Sequence, residues 1–312
     1  METMRTEMLK GVGVMGHVVR PTVDEGIAIV GSAEAAGADW CVLPDAFGWR
    51  DVWMMLTAAA TATDVIRIGP GLTNPYTRHP FVTLAALATL AELSGDRVLL
   101  GIGAGGSELS RHGEIDRSDA PQRVRDLIED LRAATEGEPP LPMASSMPAV
   151  PILGSARGPK MLDSIEASCD MFLAFGQPHA HMEVTAERIR PLSTELGWAP
   201  IRRGYGKDGI AAITYALLNV REPVRRDLGL SEEGERRLRE VLLTEGFDAA
   251  VEHVPDSALD AFLSDDDVEV VGAVARRLGA TCITVLAFDT GSLDEQVTWA
   301  RQVLDVAAAT TR

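Results

Sequence analysis

The chain is poor in cysteine, in basic residues and in aromatic side chains, and it has no long apolar run. Its three cysteines in 312 residues, Cys41, Cys169 and Cys282, stand in apolar, strand-like surroundings. No CxxC pair and no Cys/His cluster at zinc spacing occurs. A disulfide framework and a sequence-encoded metal site are therefore excluded, and reduced, buried thiols in a cytoplasm are expected. Lys and Arg total 29 against 46 Asp and Glu, a formal charge of −17. Such a field repels polyanions, which argues against nucleic-acid partners and anionic membranes. A single anionic cofactor stays within reach, because a few cations and local backbone amides can hold one phosphate. No apolar stretch is long enough to span a bilayer. Met1–Lys10 is polar and mixed in charge, unlike a secretory leader.

What the sequence does carry is a rhythm. Short apolar runs at Val12–Gly16, Trp40–Pro44, Val65–Gly69, Arg97–Gly101, Val150–Leu153, Met171–Phe175, Ile210–Asn219 and Cys282–Ala287 alternate with longer helical stretches. Those stretches are Val23–Ala36, Asp51–Ala62, Pro80–Leu93, Ala120–Thr135, Lys160–Ala167, His181–Leu196, Glu232–His253 and Asp294–Ala309. Strands alternating with helices imply parallel pairing through helical crossovers. Eight such units in this length predict one (β/α)8 TIM barrel over residues 1–312, with an open doubly wound sheet as the rival. Leu228–Val254 and the acidic Asp265–Asp267 predict an extra helical insertion before the last strand. The proline-rich Glu136–Pro151 reads as a loop before the fifth strand.

Barrel enzymes place their chemistry at strand C-termini, so the residues following each run are the ones to read. After the third run stands Gly69-Pro70-Gly71-Leu72-Thr73-Asn74-Pro75-Tyr76-Thr77-Arg78-His79-Pro80. Its glycines and prolines impose an unusual backbone path, suited either to a flat ring or to a tight loop. After the fourth stands Gly101-Ile102-Gly103-Ala104-Gly105-Gly106. It looks like a dinucleotide turn, but no acid follows at the right distance and the polar Arg111–Ser118 opens no helix behind it. After the fifth, Ser155-Ala156-Arg157-Gly158-Pro159-Lys160 combines small residues, two cations and a proline at a helix start. This suits a phosphate, or a plain helix N-terminus with solvated charges.

Taken together, Glu34–Asp39, Leu43-Pro44-Asp45, Arg50–Trp53, Thr73–Pro80, Ala88–Arg97 and Leu100–Gly105 resemble the luciferase-like family, most closely its deazaflavin-dependent branch. The resemblance covers roughly residues 10–180. It implies a flavin-like ring in the barrel mouth, backed by a non-proline cis peptide near Pro70-Gly71-Leu72, with Thr73 and Asp45 beside it. It implies that Ala104, Gly105 and Gly106, with Ser155, Ala156, Arg157 and Gly158, hold the tail and its phosphate. The implied cofactor is coenzyme F-420, a hydride carrier, with FMN as the alternative. Family members often pair as homodimers through helical faces.

The chain also departs from the family's pattern. Ala46 follows Asp45 where a histidine is usual, Met15-Gly16-His17 stands where several members carry a carboxylate, and Gly106 replaces a glutamate. His17 is the nearest substitute acid, or else a capping or solvent-facing residue. Asp45 either meets ring or substrate or caps the next helix. His79 reads as a cap beside Pro80, and Gln177 or His179 could touch substrate. Three functions follow: an F-420-dependent oxidoreductase acting on a C=N, C=C, alcohol or amine of a small molecule; a reduced-FMN monooxygenase; or a non-catalytic ligand-binding barrel.

Overall fold

Seven of the eight apolar runs contribute strands buried on both faces, as parallel strands must be when helices cover the outside and side chains fill the inside. A computed structural model describes residues 2–16, 22–106, 113–136, 147–288 and 291–309. Eight parallel strands form one sheet: β1 (Gly11–Gly16), β2 (Trp40–Leu43), β3 (Arg67–Pro70), β4 (Leu100–Ile102), β5 (Ile152–Gly154), β6 (Met171–Phe175), β7 (Glu195–Ala199) and β10 (Ala280–Ala287). The spatial order is β3-β2-β1-β10-β7-β6-β5-β4. The ends of that order meet. Ile68 N donates to Arg97 O (2.9 Å) and Leu99 N to Ile68 O (3.0 Å). Further along, Thr73 N donates to Gly101 O (2.9 Å) and Gly103 N to Thr73 O (3.0 Å), which closes the barrel.

Side chains alternate across the strands with period two. Trp40, Val42, Leu99, Leu153, Met171, Leu173, Cys282 and Leu286 fill the interior. Cys41, Leu43, Leu100, Ile152, Phe172, Ile283 and Val285 face the helices. Trp40 occupies the space opposite Gly13, where an added Cβ would lie 2.2 Å from the indole ring. Its Nε1 donates to Leu9 O (2.9 Å) just beyond α1 (Glu2–Glu7). At this N-terminal end Asp170 accepts from Arg5 Nε (3.2 Å), Arg132 Nη2 (2.8 Å) and Ile152 N (2.8 Å), so its buried charge is paired.

Local signals start the crossover helices. Thr22 and Glu25 form a capping box on α2 (Val23–Ala35), and Asp51 caps α3 (Val52–Thr61). His79 caps α4 (Pro80–Ser94), which ends at left-handed Gly95 (φ 64°). The fourth and fifth crossovers are α5 (Ala120–Glu136) and α6 (Pro159–Ile165), and α7 (His179–Ile189) leads to β7.

The seventh strand corrects the sequence expectation. It is Glu195–Ala199, and Ile210–Asn219 belongs instead to α8 (Gly206–Asn219). Gly209, Ala212, Ile213, Thr214, Ala216, Leu217 and Leu218 of that helix are buried. A helix covered on most sides shows no polar stripe, so its sequence is indistinguishable from a buried strand.

An insertion separates β7 from β10. It comprises β8 (Ile201–Arg202), α8, α9 (Glu222–Asp227), α10 (Glu232–Thr244), α11 (Phe247–Ala250), α12 (Asp256–Phe262) and β9 (Leu263–Ser264). β8 and β9 pair with each other, apart from the barrel. α13 (Val268–Leu278) and α14 (Leu293–Ala308) flank β10 and complete the helical layer. Ala212, Ile213, Ala216 and Leu217 share one apolar cluster with the barrel interior, so the insertion packs over the mouth.

Candidate active site

The strand C-termini gather two groups of residues. The first stands after β2 and β3. The peptide joining Gly71 to Leu72 is cis, where the family resemblance implies one. Gly71 N donates to Leu43 O (2.7 Å), and a Cβ on Gly71 would sit 2.3 Å from Val42 Cγ2. Leu72 is half-buried on the interior cluster and lies over Gly101 and Gly103. Thr73 is fully buried, and its hydroxyl donates to Asp45 Oδ2 (2.7 Å). Asp45 is half-buried and does not cap α3; Asp51 does, through Trp53 N (2.9 Å) and Met54 N (3.2 Å). Burial pushes the Asp45 carboxyl above the ordinary aspartate value, the Thr73 hydroxyl and Arg78 draw it back, and Asp51 adds to the rise. Arg78 is itself ion-paired with Asp51.

The second group stands after β4, β5 and β6. Gly105 is left-handed (φ 75°), and a Cβ on Gly106 would lie 2.6 Å from the Tyr215 hydroxyl. Arg157 Nε donates to Gly176 O (3.2 Å). Burial holds its guanidinium below the ordinary value, and the Tyr215 phenol acts the other way. Among the described residues no carboxylate pairs with the Arg157 guanidinium near the mouth. Ser155 serves the frame: its N donates to Ile102 O (3.3 Å) and its hydroxyl to Leu173 O (2.8 Å). Ala156 O accepts from Gln177 Nε2 (2.6 Å), and Gly158 begins α6 with no side-chain cap.

Other predicted residues fall elsewhere. His17 lies outside the described residues. Gln177 is taken up by Ala156 and Thr185, and His179 Nε2 is bonded to Leu263 O (3.2 Å). Burial lowers the His179 pKa, which keeps the imidazole neutral as a brace between α7 and β9. His79 accepts from Phe81 N (3.3 Å), the cap its place beside Pro80 predicts.

Three side chains at the mouth escaped the sequence reading. Tyr215 is hidden inside the run taken for a strand. Arg117, which donates from Nη1 to Gly105 O (2.6 Å) and Ala104 O (3.4 Å), sits in a stretch that shows only as polar. Tyr205 has no motif around it. Its hydroxyl accepts from Leu286 N (3.3 Å), beyond the point where the β7–β10 pairing ends at Trp198 and Ile283. Burial raises its pKa to about 12.

The family model for luciferase-like monooxygenases matches residues 6–264. The chain belongs to that family. This luciferase-like chain is 28% identical over 285 residues to a 5,10-methylenetetrahydromethanopterin reductase of Archaeoglobus fulgidus, covering 78% of itself and 84% of the relative. Its fold matches the coenzyme F-420-dependent tetrahydromethanopterin reductase of Methanopyrus kandleri with a TM-score of 0.74 at 18% identity, over 95% and 99% of the two chains. It matches an F-420-dependent secondary alcohol dehydrogenase with a TM-score of 0.68 at 14% identity, over 95% and 99%.

Proposed function

We propose that this luciferase-like barrel is a coenzyme F-420-dependent oxidoreductase that moves a hydride between the deazaflavin and a small organic substrate. The observation that carries the reading is the placement of both residue groups at one end of one barrel. Asp45, Thr73, Leu72 and the Pro70-Gly71 turn would hold the ring. Ala104, Gly105, Gly106, Arg157 and the Ser155–Gly158 segment would hold the tail and its phosphate. The reductase relatives and the alcohol dehydrogenase fold support the same choice of cofactor.

When bound, the deazaflavin supplies a two-electron hydride donor or acceptor. The chain supplies the rest. Thr73 occupies Asp45 Oδ2, so the proton of a neutral Asp45 belongs on Oδ1. The raised Asp45 pKa shifts the carboxyl toward the protonated form that can donate to a substrate heteroatom. Half-buried Leu72, Phe175, Tyr205 and Phe288 pack on the interior cluster and give the mouth apolar walls that exclude water. FMN is the alternative: Arg202, which could hold its dianionic phosphate, pairs with Asp266, while Arg157 would serve the phosphate of either cofactor.

Residues 1–312 form one domain in this reading, and buried free thiols at Cys41, Cys169 and Cys282 fit a reducing cytoplasm. A second copy of the chain is the proposed partner. α3 carries no charged residue and α4 carries one, Glu92, while Met54, Phe81, Val82 and Leu93 are exposed on them. Two chains of charge −17 meet there with least repulsion. No helix among the described residues is long and apolar enough to cross a membrane.

Fluorescence titration with F-420 and with FMN tests the cofactor. Saturable binding of F-420, tighter than FMN, is expected; preference for FMN or no binding of F-420 refutes the reading. Light scattering of the purified chain tests the pairing, which a monomeric mass would refute.

A further inference from the structure

At the Gly105 turn the backbone carbonyls are engaged from one side. Arg117 Nη1 reaches two successive carbonyls, Gly105 O at 2.6 Å and Ala104 O at 3.4 Å. The peptides between Ala104 and Gly106 are trans, since the cis bond among the described residues is Gly71–Leu72. In a trans peptide the N–H points opposite to the C=O of the preceding residue. Turning the Ala104 and Gly105 carbonyls toward Arg117 therefore turns the Gly105 and Gly106 N–H groups away from it. Gly105 is left-handed, the backbone form in which successive amides converge on one anion. Among the described residues no acceptor takes either N–H.

Arg117 is held in place independently of the turn. Its own carbonyl accepts from Ala120 N (3.1 Å) at the start of α5. Ser118 N bonds to Asp116 Oδ1 (2.8 Å), and Asp119 accepts from Tyr76 Oη (2.8 Å) and Arg123 Nε (2.7 Å). The segment before α5 thus straps the loops after β3 and β4 together. Beside the turn stand Tyr215, against Gly106, and Arg157, with which no carboxylate among the described residues pairs.

We propose that Arg117 is a positioning residue: by holding the Ala104 and Gly105 carbonyls it aims the Gly105 and Gly106 amides at the phosphate of the cofactor tail. The proposal rests on the reading of a phosphate-bearing, flavin-like cofactor given above. Arg117 acts through the backbone, from the side of the turn opposite the ligand. Its loss frees the turn to flip, and the two charge-assisted hydrogen bonds to the phosphate go with it.

The test compares ligands that differ in the phosphate. Dissociation constants are measured for F-420 and its tail-free deazaflavin, and for FMN and riboflavin, with wild type, Arg117→Leu and Arg117→Lys. Arg117→Leu is expected to weaken the phosphate-bearing member of the preferred pair about 10- to 100-fold, with the tail-free member within about twofold. Arg117→Lys keeps the charge but lacks the flat fork for two carbonyls, so an intermediate loss confined to the phosphate-bearing ligand is expected. Equal weakening of both members would mark Arg117 as scaffold only and overturn the proposal, as would no weakening at all. If Arg117→Leu does not fold, Arg117→Lys alone decides by the same ratio. A wild type that prefers FMN to F-420 overturns the cofactor reading, while the FMN-to-riboflavin ratio still tests Arg117. A wild type indifferent to phosphate in both pairs overturns the role of Arg117.

Discussion

Gly101→Ala puts a methyl group where the closing seam of the barrel leaves no room. An ideal Cβ on Gly101 lies 2.1 Å from Pro70 O and 2.9 Å from Leu72 Cδ2. The nearer atom is backbone and cannot rotate away, so the seam must open by about 1.3 Å or more to reach ordinary van der Waals contact. That opening breaks Thr73 N→Gly101 O and Gly103 N→Thr73 O. Two backbone bonds are worth about 1–3 kcal/mol together, and overpacking adds about 1–3 kcal/mol. A loss of about 2–6 kcal/mol is therefore expected, read as a lower urea midpoint at unchanged slope. The opening also displaces Thr73 from Asp45, so cofactor binding should weaken in the fraction that remains folded. Gly31→Ala is the control: it lies within α2 with nothing within 4 Å, and should gain about 0.5–1 kcal/mol. A Gly101→Ala protein within about 0.5 kcal/mol of wild type would show that the seam is not closed in this register.

Thr73→Val removes the hydrogen bond that favours ionised Asp45, so the Asp45 pKa should rise further and the basic limb of the turnover profile should move to higher pH; a limb that stays or moves down contradicts the proton role. Asp170→Ala leaves Arg5 and Arg132 without their shared carboxylate and should cost about 3–5 kcal/mol in urea unfolding; a change below about 1 kcal/mol would deny that the N-terminal helix is anchored there. Glu34 accepts from Asp64 N, Val65 N and Ile66 N, and its pKa is lowered despite some burial. Its contribution is complete above the ordinary carboxylate range and lost as pH falls through its lowered folded pKa, so wild type and Glu34→Gln should differ in stability at neutral pH and converge on acidification below the ordinary glutamate range; a pH-independent gap would refute it. Cys41, Cys169 and Cys282 are buried, with burial raising each pKa to about 12. A thiol reagent should label none of them in the native state and all of them in urea, and fast native labelling would contradict the core assignment.

Much of the barrel was legible because its strands are short, apolar and bounded by glycine or proline, and because caps such as Thr22, Asp51 and His79 announce the helices. The exception has a physical cause. α8 is buried on most sides by the barrel interior and its own insertion, so the sequence between Ile210 and Asn219 carries no polar stripe, while the true seventh strand contributes only Glu195–Ala199. With α8 misread, Tyr215 lost its place beside Gly106. The ring side was more legible than the tail side. Asp45 and Thr73 each follow a strand, and the parallel register Leu43↔Pro70 brings them together. Arg117 could not be found that way: it touches backbone carbonyls, and carbonyls leave no trace in a residue pattern. Gln177 and His179 follow a strand as well, yet their partners are internal, a distinction only the packing reveals.

The cluster that runs without a break from Trp40 and Met171 through Leu286 to Ala212 and Leu217 has a consequence for how this enzyme can diversify. The strands and their plug are common ground for the whole interior, so altering them alters everything at once. The insertion touches the same interior from one side only, and outside it is tied to the barrel's helical layer by few side chains, among them His179 on Leu263 O. A larger or differently shaped substrate is thus accommodated by re-seating one helical roof on a fixed floor. New specificities should arise by substitution along Gly206–Asn219, while the floor at Trp40 and Asp170 stays as it is.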